Sequence, residues 1–285
     1  MLLLISAVVS NAQQAKVTAA YTFLQAGNLD SAKAIIDAAV KSPETQNDGQ
    51  AWYIRGFIYK SIYNKNEKSD KQSPTRIEAL NSFKKSLSLD TTQDNVHENV
   101  KNVKYLATTL YNDAAASLDT IDYKIAVKDF DIFKQYYVLV DASPDNFKQK
   151  DIEFSNAIAS MYTKIFEGDR KGRADFLNLA KTAYLKTLSL DPNNISANYN
   201  MGILYYNQAV NLINQSDFDL DIVALNDVQD NSISLFKASL PFMEKAYSLD
   251  PKRKETLLGL SGIYFSLNEK EKSNEFKQKL EQIGK

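Results

Sequence analysis

The sequence predicts an all-α fold, an α-solenoid of about six helix-turn-helix hairpins in series. Three observations predict it. Glycine (9) and proline (6) are too few for the turns of a β-rich chain of 285 residues, set against ordinary usage of roughly 7% and 5%. Helical tails of related wording recur: SLSLDTT (86–92), TLSLDPNN (187–194), AYSLDPKR (246–253) and, more distantly, AAVKSPET (38–45). Each is stopped by proline or threonine, and a proline just past the last apolar residue cannot continue a helix. Finally, 51–59 (AWYIRGFIY) and 197–205 (ANYNMGILY) share one spacing: alanine, an aromatic two later, glycine five later, tyrosine eight later.

The amino-terminal element is read first. Leu2 to Val9 is an unbroken apolar run, followed by Ser10-Asn11-Ala12. That is a signal-peptide core with small residues before a cleavage point, and it is too short to span a bilayer. Residues 1–12 are therefore expected to be a signal peptide. No lysine or arginine precedes the run, so the natural start is expected a few residues upstream. The competing reading is an apolar first helix packed on the array. No other segment reaches membrane-spanning length.

The two matching strings and the LDP endings resemble the tetratricopeptide repeat, a 34-residue helix-turn-helix. In that family a small residue of the first helix faces a small residue of the second, and an aromatic three residues after the first fills the space between hairpins. The first small residues are Ala20, Gly56, Thr108, Ala159, Gly202 and Ser261. The aromatics are Phe23, Tyr59, Tyr111, Tyr162, Tyr205 and Tyr264, and the second small residues are Ala32, Ala79, Ala126, Ala180, Ser239 and Ser273.

This register gives one solenoid over 13–285, with units near 13–46, 49–92, 95–145, 147–192, 195–252 and 254–285. Length alone would have suggested two domains. The resemblance also implies a right-handed superhelix. From aromatic to second small residue the spacing is 9, 20, 15, 18, 34 and 9, so the central four hairpins carry insertions. The stretch from Tyr111 to Phe130 lacks glycine and proline and reads as lengthened helix. The polar 64–74 and the acidic 215–234 read as loops, and the charged 269–285 as a capping helix.

Composition excludes several chemistries. There is no cysteine, hence no disulfide, thiolate nucleophile or cysteine-rich zinc site. The net charge of -1 opposes nucleic-acid binding by counterion release. His97 is the lone histidine and reads as an exposed first-turn residue. Asp129/Asp131 and Glu269/Glu271 read as solvated helix faces. The Asp217-Phe218-Asp219-Leu220-Asp221 run fails the calcium-loop pattern, with Ile222 and Val228 where glycine and glutamate are needed. No phosphate-binding, zinc-protease or nucleophile-elbow motif occurs. No catalytic residue, metal ligand or cofactor is expected, and the chain is read as not an enzyme.

The resemblance implies a concave groove lined by the first helices. Carried over, it would present Tyr21, Tyr53, Phe57, Tyr105, Tyr199, Tyr206 and Phe265, with Val17, Leu24, Lys60, Ile203 and Leu258 in the same register. The competing reading buries these aromatics as core. The lysine and asparagine clamp that grips chaperone tails in one subfamily is absent, since Val17 and Tyr21 stand where its cations would. The expected function is an exported scaffold, periplasmic or envelope-associated, that binds a protein or peptide partner. The Ala-Gln-Gln stretch resembles exported proteins of the Bacteroidota. A glycan or small-ligand module and a self-assembling structural protein are the alternatives.

Overall fold

The computed structural model describes residues 2–90, 94–141, 143–216 and 221–283, with side chains from residue 14 onward apart from Pro144. Among these residues there are twelve α-helices and no strands. They pair as α1 (Leu2–Gln25) with α2 (Leu29–Ala39), α3 (Gly49–Ile62) with α4 (Pro74–Leu89) and α5 (Val96–Ala116) with α6 (Tyr123–Tyr137). Then come α7 (Pro144–Gly168) with α8 (Asp175–Leu190), α9 (Ile195–Asn214) with α10 (Ile222–Leu249) and α11 (Lys254–Ser266) with α12 (Lys270–Ile283). The fold is all-α, and its twelve helices form six consecutive hairpins. Helix α1 runs unbroken across the expected cleavage point after Ala12.

The recurring Ser-Leu-Asp wording has one local geometry. Ser88, Ser189 and Ser248 each donate to the carbonyl three residues back, at 2.7, 2.7 and 2.8 Å. The following Asp90, Asp191 and Asp250 leave the helical backbone conformation and end α4, α8 and α10. Their carboxylates then accept downstream backbone N–H groups of Asn95, Asn193 and Lys252. A short acidic side chain can stop a helix and hold the turn after it at the same time.

The two terminal hairpins share a second device. Gly27 N–H bonds the Leu24 carbonyl and Asn28 N–H that of Phe23; Asn268 and Glu269 bond Phe265 and Tyr264 in the same pattern. Gly27 (φ 75°) and Asn268 (φ 61°) are the two left-handed residues among those described. This is the tight helix C-terminal turn that such residues permit, and it explains why the terminal hairpins carry no insertion. Helix starts are capped by Asn28, Asp48, Ser73, Asn194 and Asp221, each accepting from an N–H two or three residues on.

The chain divides into two compact units, 1–117 with 124–147 and 118–123 with 148–285. In the first, Val17, Ala20, Ala32, Ile36, Ala51, Ile54 and Ile58 form a continuous core. In the second, Ala159, Ala180, Tyr184, Ala197 and Met201 form one cluster, and Phe236, Met243, Leu257, Leu260 and Tyr264 another. All six small residues predicted for the second helices are buried. So are those of the first helices in five hairpins. A Cβ on Gly56 would lie 2.6 Å from the Phe83 ring, and one on Gly202 2.4 Å from Met243 Cγ, so glycine permits these crossings.

Several sequence expectations are corrected. In the third hairpin the buried pair is Ala107 and Leu110, one residue before Thr108 and Tyr111. The apolar face of α5 runs through Val103, Leu106, Ala107, Leu110 and Ala114, and that stripe decides the register. Phe23 is exposed rather than wedged between hairpins. The Tyr111 to Phe130 stretch is broken at 117–122, where the Asp119 carboxylate accepts from Ile121 and Asp122 N–H. Of the loop expected at 215–234, residues 222–234 are helix; 217–220 lie outside the described residues. The 64–74 segment begins as a π-helical turn (Tyr63–Glu67) and then loops.

Asp129 is also corrected: it is 2% exposed, not solvated. It shares the inward face of α6 with Ala126, Phe130, Phe133 and Tyr137. Asp131, by contrast, is exposed and pairs with Lys134, and Glu269 pairs with Lys272 at the surface. His97 is an exposed residue in the first turn of α5.

Candidate functional site

In the first unit, Tyr21 of α1 meets Gln50, Tyr53, Ile54 and Phe57 of α3 around a cavity of about 160 Å³. Tyr53 and Phe57 are one helical turn apart and pack edge to face at 5.1 Å. Phe83 of α4 supports both rings from beneath, at 6.3 and 5.9 Å. Offset and edge-on geometries of this kind are the favoured ones for aromatic pairs. Lys60, one turn on from Phe57, holds its ammonium 4.9 Å from the Phe57 ring and 5.5 Å from that of Tyr105. It donates to Asn102 Oδ1, and burial pushes its pKa down. The Tyr105 hydroxyl donates to Asn64 Oδ1 at 2.9 Å. Burial raises the Tyr53 phenol, so it stays neutral and able to donate.

In the second unit, Tyr199, Ile203, Tyr206 and Asn207 of α9 face Glu255, Leu258, Gly259, Ser261 and Gly262 of α11 across a cavity of about 420 Å³. Positions 199, 203 and 206 lie on one face of α9, as do 255, 258, 259 and 262 on α11, because helical side chains realign every three to four residues. Gly262 keeps the space open: a Cβ there would lie 3.0 Å from the Tyr206 hydroxyl. At the rim the Arg253 guanidinium lies 3.9 Å from the centre of the Tyr199 ring and 3.5 Å from Glu255. This charge lies close to its partners and leaves the cavity wall mainly apolar and aromatic.

The structure therefore brings together Tyr21, Tyr53 and Phe57 in one place, and Tyr199 with Tyr206 in another. Tyr105 joins the first set through Lys60. Phe265 lines neither cavity; it is 63% exposed and lies near Lys277. None of these seven aromatics is fully buried. Val17, in the same predicted register, is core. Residues that sequence reasoning missed are Gln50, Ile54, Asn207, Glu255 and Gly262. The helical spacing from Tyr199 and Leu258 was the signal that could have found the last three. No group of three potential metal ligands occurs among the described residues. Asp217 and Asp219 lie outside them.

No protein-family model matches the chain, and no curated protein matches it. Solved structures do. The crystal structure of MamA aligns at 15% identity and TM-score 0.35, over 80% of this chain and 91% of that one. Pseudomonas aeruginosa PilF aligns at 12% and 0.36, over 96% and 92%. YrrB, described as a TPR protein with an unusual peptide-binding site, aligns at 18% and 0.27, over 89% and 95%.

Proposed function

We propose that this chain is a non-enzymatic scaffold of tetratricopeptide type that holds a protein or peptide partner on the aromatic surfaces of its first helices. The single observation that carries the reading is the cavity between α9 and α11, walled by Tyr199, Ile203, Tyr206 and Leu258 and kept open by Gly262. Half-buried tyrosines give large contact area at low conformational cost, the usual character of interface anchors. An extended or helical peptide segment with one apolar side chain per cavity suits these dimensions.

We further propose that residues 1–12 act as an export signal and that the mature chain works in the periplasm or on the cell envelope. The support is the apolar run of 2–9 followed by small residues. No helix among the described residues is long and apolar enough to cross a membrane.

Photo-crosslinking tests the scaffold reading. A photoreactive side chain at Asn207 in the native cell envelope should trap one defined protein, and Tyr199→Ala with Tyr206→Ala should abolish the adduct. Adducts unchanged by the double variant would overturn it. Intact mass of the protein from fractionated cells tests the leader: a mature start at Gln13 is expected, and an unprocessed chain in the cytoplasm would refute it.

A further inference from the structure

A second cavity, of about 300 Å³, lies along α10. Leu225, Val228, Ser232 and Phe236 form one stripe on its wall, because helical side chains realign every three to four residues. Exposure falls along the stripe, from 50% at Leu225 through half-buried Val228 to 2% at Ser232 and Phe236. The cavity therefore opens at the start of α10, beside exposed Ile213 of α9, and closes against Ser232 and Phe236.

The lining carries no charged side chain among the described residues. Helical periodicity turns Asp227 and Asp230 to the far side of α10. A charged occupant would lose its water here without gaining a counter-charge. The polar lining is neutral, and two of its hydroxyls are already committed: Ser216 donates to the Ile213 carbonyl and Ser266 to the Gly262 carbonyl. Ser232 differs. It is buried at the closed end, and its hydroxyl has no hydrogen-bond partner among the described residues. A buried hydroxyl without a partner is destabilising, and an occupant with one polar atom at that point removes the penalty. A closed apolar cavity of roughly half this volume holds one benzene ring, so the space suits two fused rings or a hydrocarbon of similar bulk.

We infer that this cavity is a binding site for an uncharged, mainly hydrocarbon small molecule of about that size, with a single hydroxyl or carbonyl group. The Ser232 hydroxyl donates to a carbonyl or accepts from a hydroxyl at the closed end, and the hydrocarbon body lies along Val228, Ile233 and Leu225 toward the mouth. Clefts between helices, mainly apolar and with few polar groups, are the usual setting for such ligands. The inference does not depend on the groove between α9 and α11.

The full chain is titrated at pH 7 with 2-naphthol, naphthalene, 2-naphthoate and 2-naphthylmethylammonium while the isoleucine methyl groups are followed by NMR. 2-Naphthol should bind saturably and shift the Ile213 and Ile233 signals but not that of Ile203, which lines the other cavity about 15 Å from Ile213 along α9. Naphthalene should bind about fivefold more weakly for want of the hydrogen bond, and the two ions about tenfold or more weakly. Ser232→Ala should abolish the preference for 2-naphthol over naphthalene; it removes an unpaired hydroxyl and should leave the fold intact. Leu225→Glu, an exposed change at the mouth, should weaken 2-naphthol about tenfold or more. No saturable binding, ions that bind as well as 2-naphthol, a preference that survives Ser232→Ala, or indifference to Leu225→Glu would overturn the inference. Shifts centred on Ile203 would also overturn it, by placing the probe in the groove, and would leave the crosslinking test at Asn207 to decide the scaffold reading separately.

Discussion

The Ser239 hydroxyl of α10 donates to the Gly202 carbonyl of α9 at 2.7 Å, and the Ser273 hydroxyl of α12 donates to the Ser261 carbonyl of α11 at 2.9 Å. In both hairpins the small residue of the second helix touches the backbone of the small residue of the first. The bond is possible only because neither helix presents a large side chain at the crossing. Met243 and Phe83 then occupy equivalent places, one turn after Ser239 and Ala79, over Gly202 and Gly56.

These crossings set a stability prediction. Gly56→Ala and Gly202→Ala should each destabilise the protein by about 1–3 kcal/mol, the usual effect of overpacking. Gly168→Ala, where a Cβ meets nothing within 4 Å, should be neutral or stabilising. Urea denaturation of the three variants checks the order.

Asp129 sets a pH prediction. Burial raises its pKa from 3.8 to about 6, against the opposing effect of the Arg76 guanidinium. Between pH 4 and 6 the folded state therefore holds a proton that the unfolded chain has lost, so this group makes stability fall as pH rises through that window. Above pH 6 the cost is fully present. Asp129→Asn should stabilise the protein by about 1–2 kcal/mol at pH 8 and have little effect at pH 4. Thermal melts at the two pH values measure the difference, and an equal effect at both would contradict it.

The Arg55 side chain links three helices. Its guanidinium reaches Asp37 of α2 and Glu78 and Ser82 of α4, at 2.8, 2.8 and 2.7 Å. The Tyr59 hydroxyl donates to the same Asp37 carboxylate, and burial with that bond pushes its pKa up to about 12. Arg55→Leu leaves Asp37 and Glu78 without their cation and should cost about 2–3 kcal/mol. Tyr59→Phe should cost about 1 kcal/mol. Urea midpoints at neutral pH check both, and a larger loss for Tyr59→Phe would argue against the network.

Gly262 sets a binding prediction. Gly262→Leu would place a side chain against Tyr206 and fill the cavity between α9 and α11. It should abolish the crosslink proposed at Asn207 while changing the unfolding free energy by no more than about 1 kcal/mol, since glycine is a poor helix former. Circular dichroism alongside the crosslinking assay separates blocking from unfolding.

Most of the fold was legible in the chain. The Ser-Leu-Asp endings and the small-residue spacing located six hairpins, because helix stops and close helix crossings each demand particular residue types. Legibility failed where a local pattern had two solutions. Thr108 and Ala107 are both small, and only the apolar stripe of α5 selects between them. Asp129 is charged, but its place on α6 follows Ala126 and Phe133 rather than its own polarity. The site was less legible than the fold: the register grouped seven aromatics, yet Phe265 falls outside both cavities and Gly262 was not anticipated.

What the sequence determined by itself is the number of hairpins and their order, since turns, caps and helix periodicity act over a few residues. What only the tertiary structure decided is which side of each helix meets a neighbour. That choice put Val17 and Asp129 inside, left Tyr21 and Tyr105 at the surface, and opened the cavities beside Tyr206 and Ser232. The physical reason is that burial is set by helix rotation and by the volume of facing side chains, and both depend on residues far away along the chain.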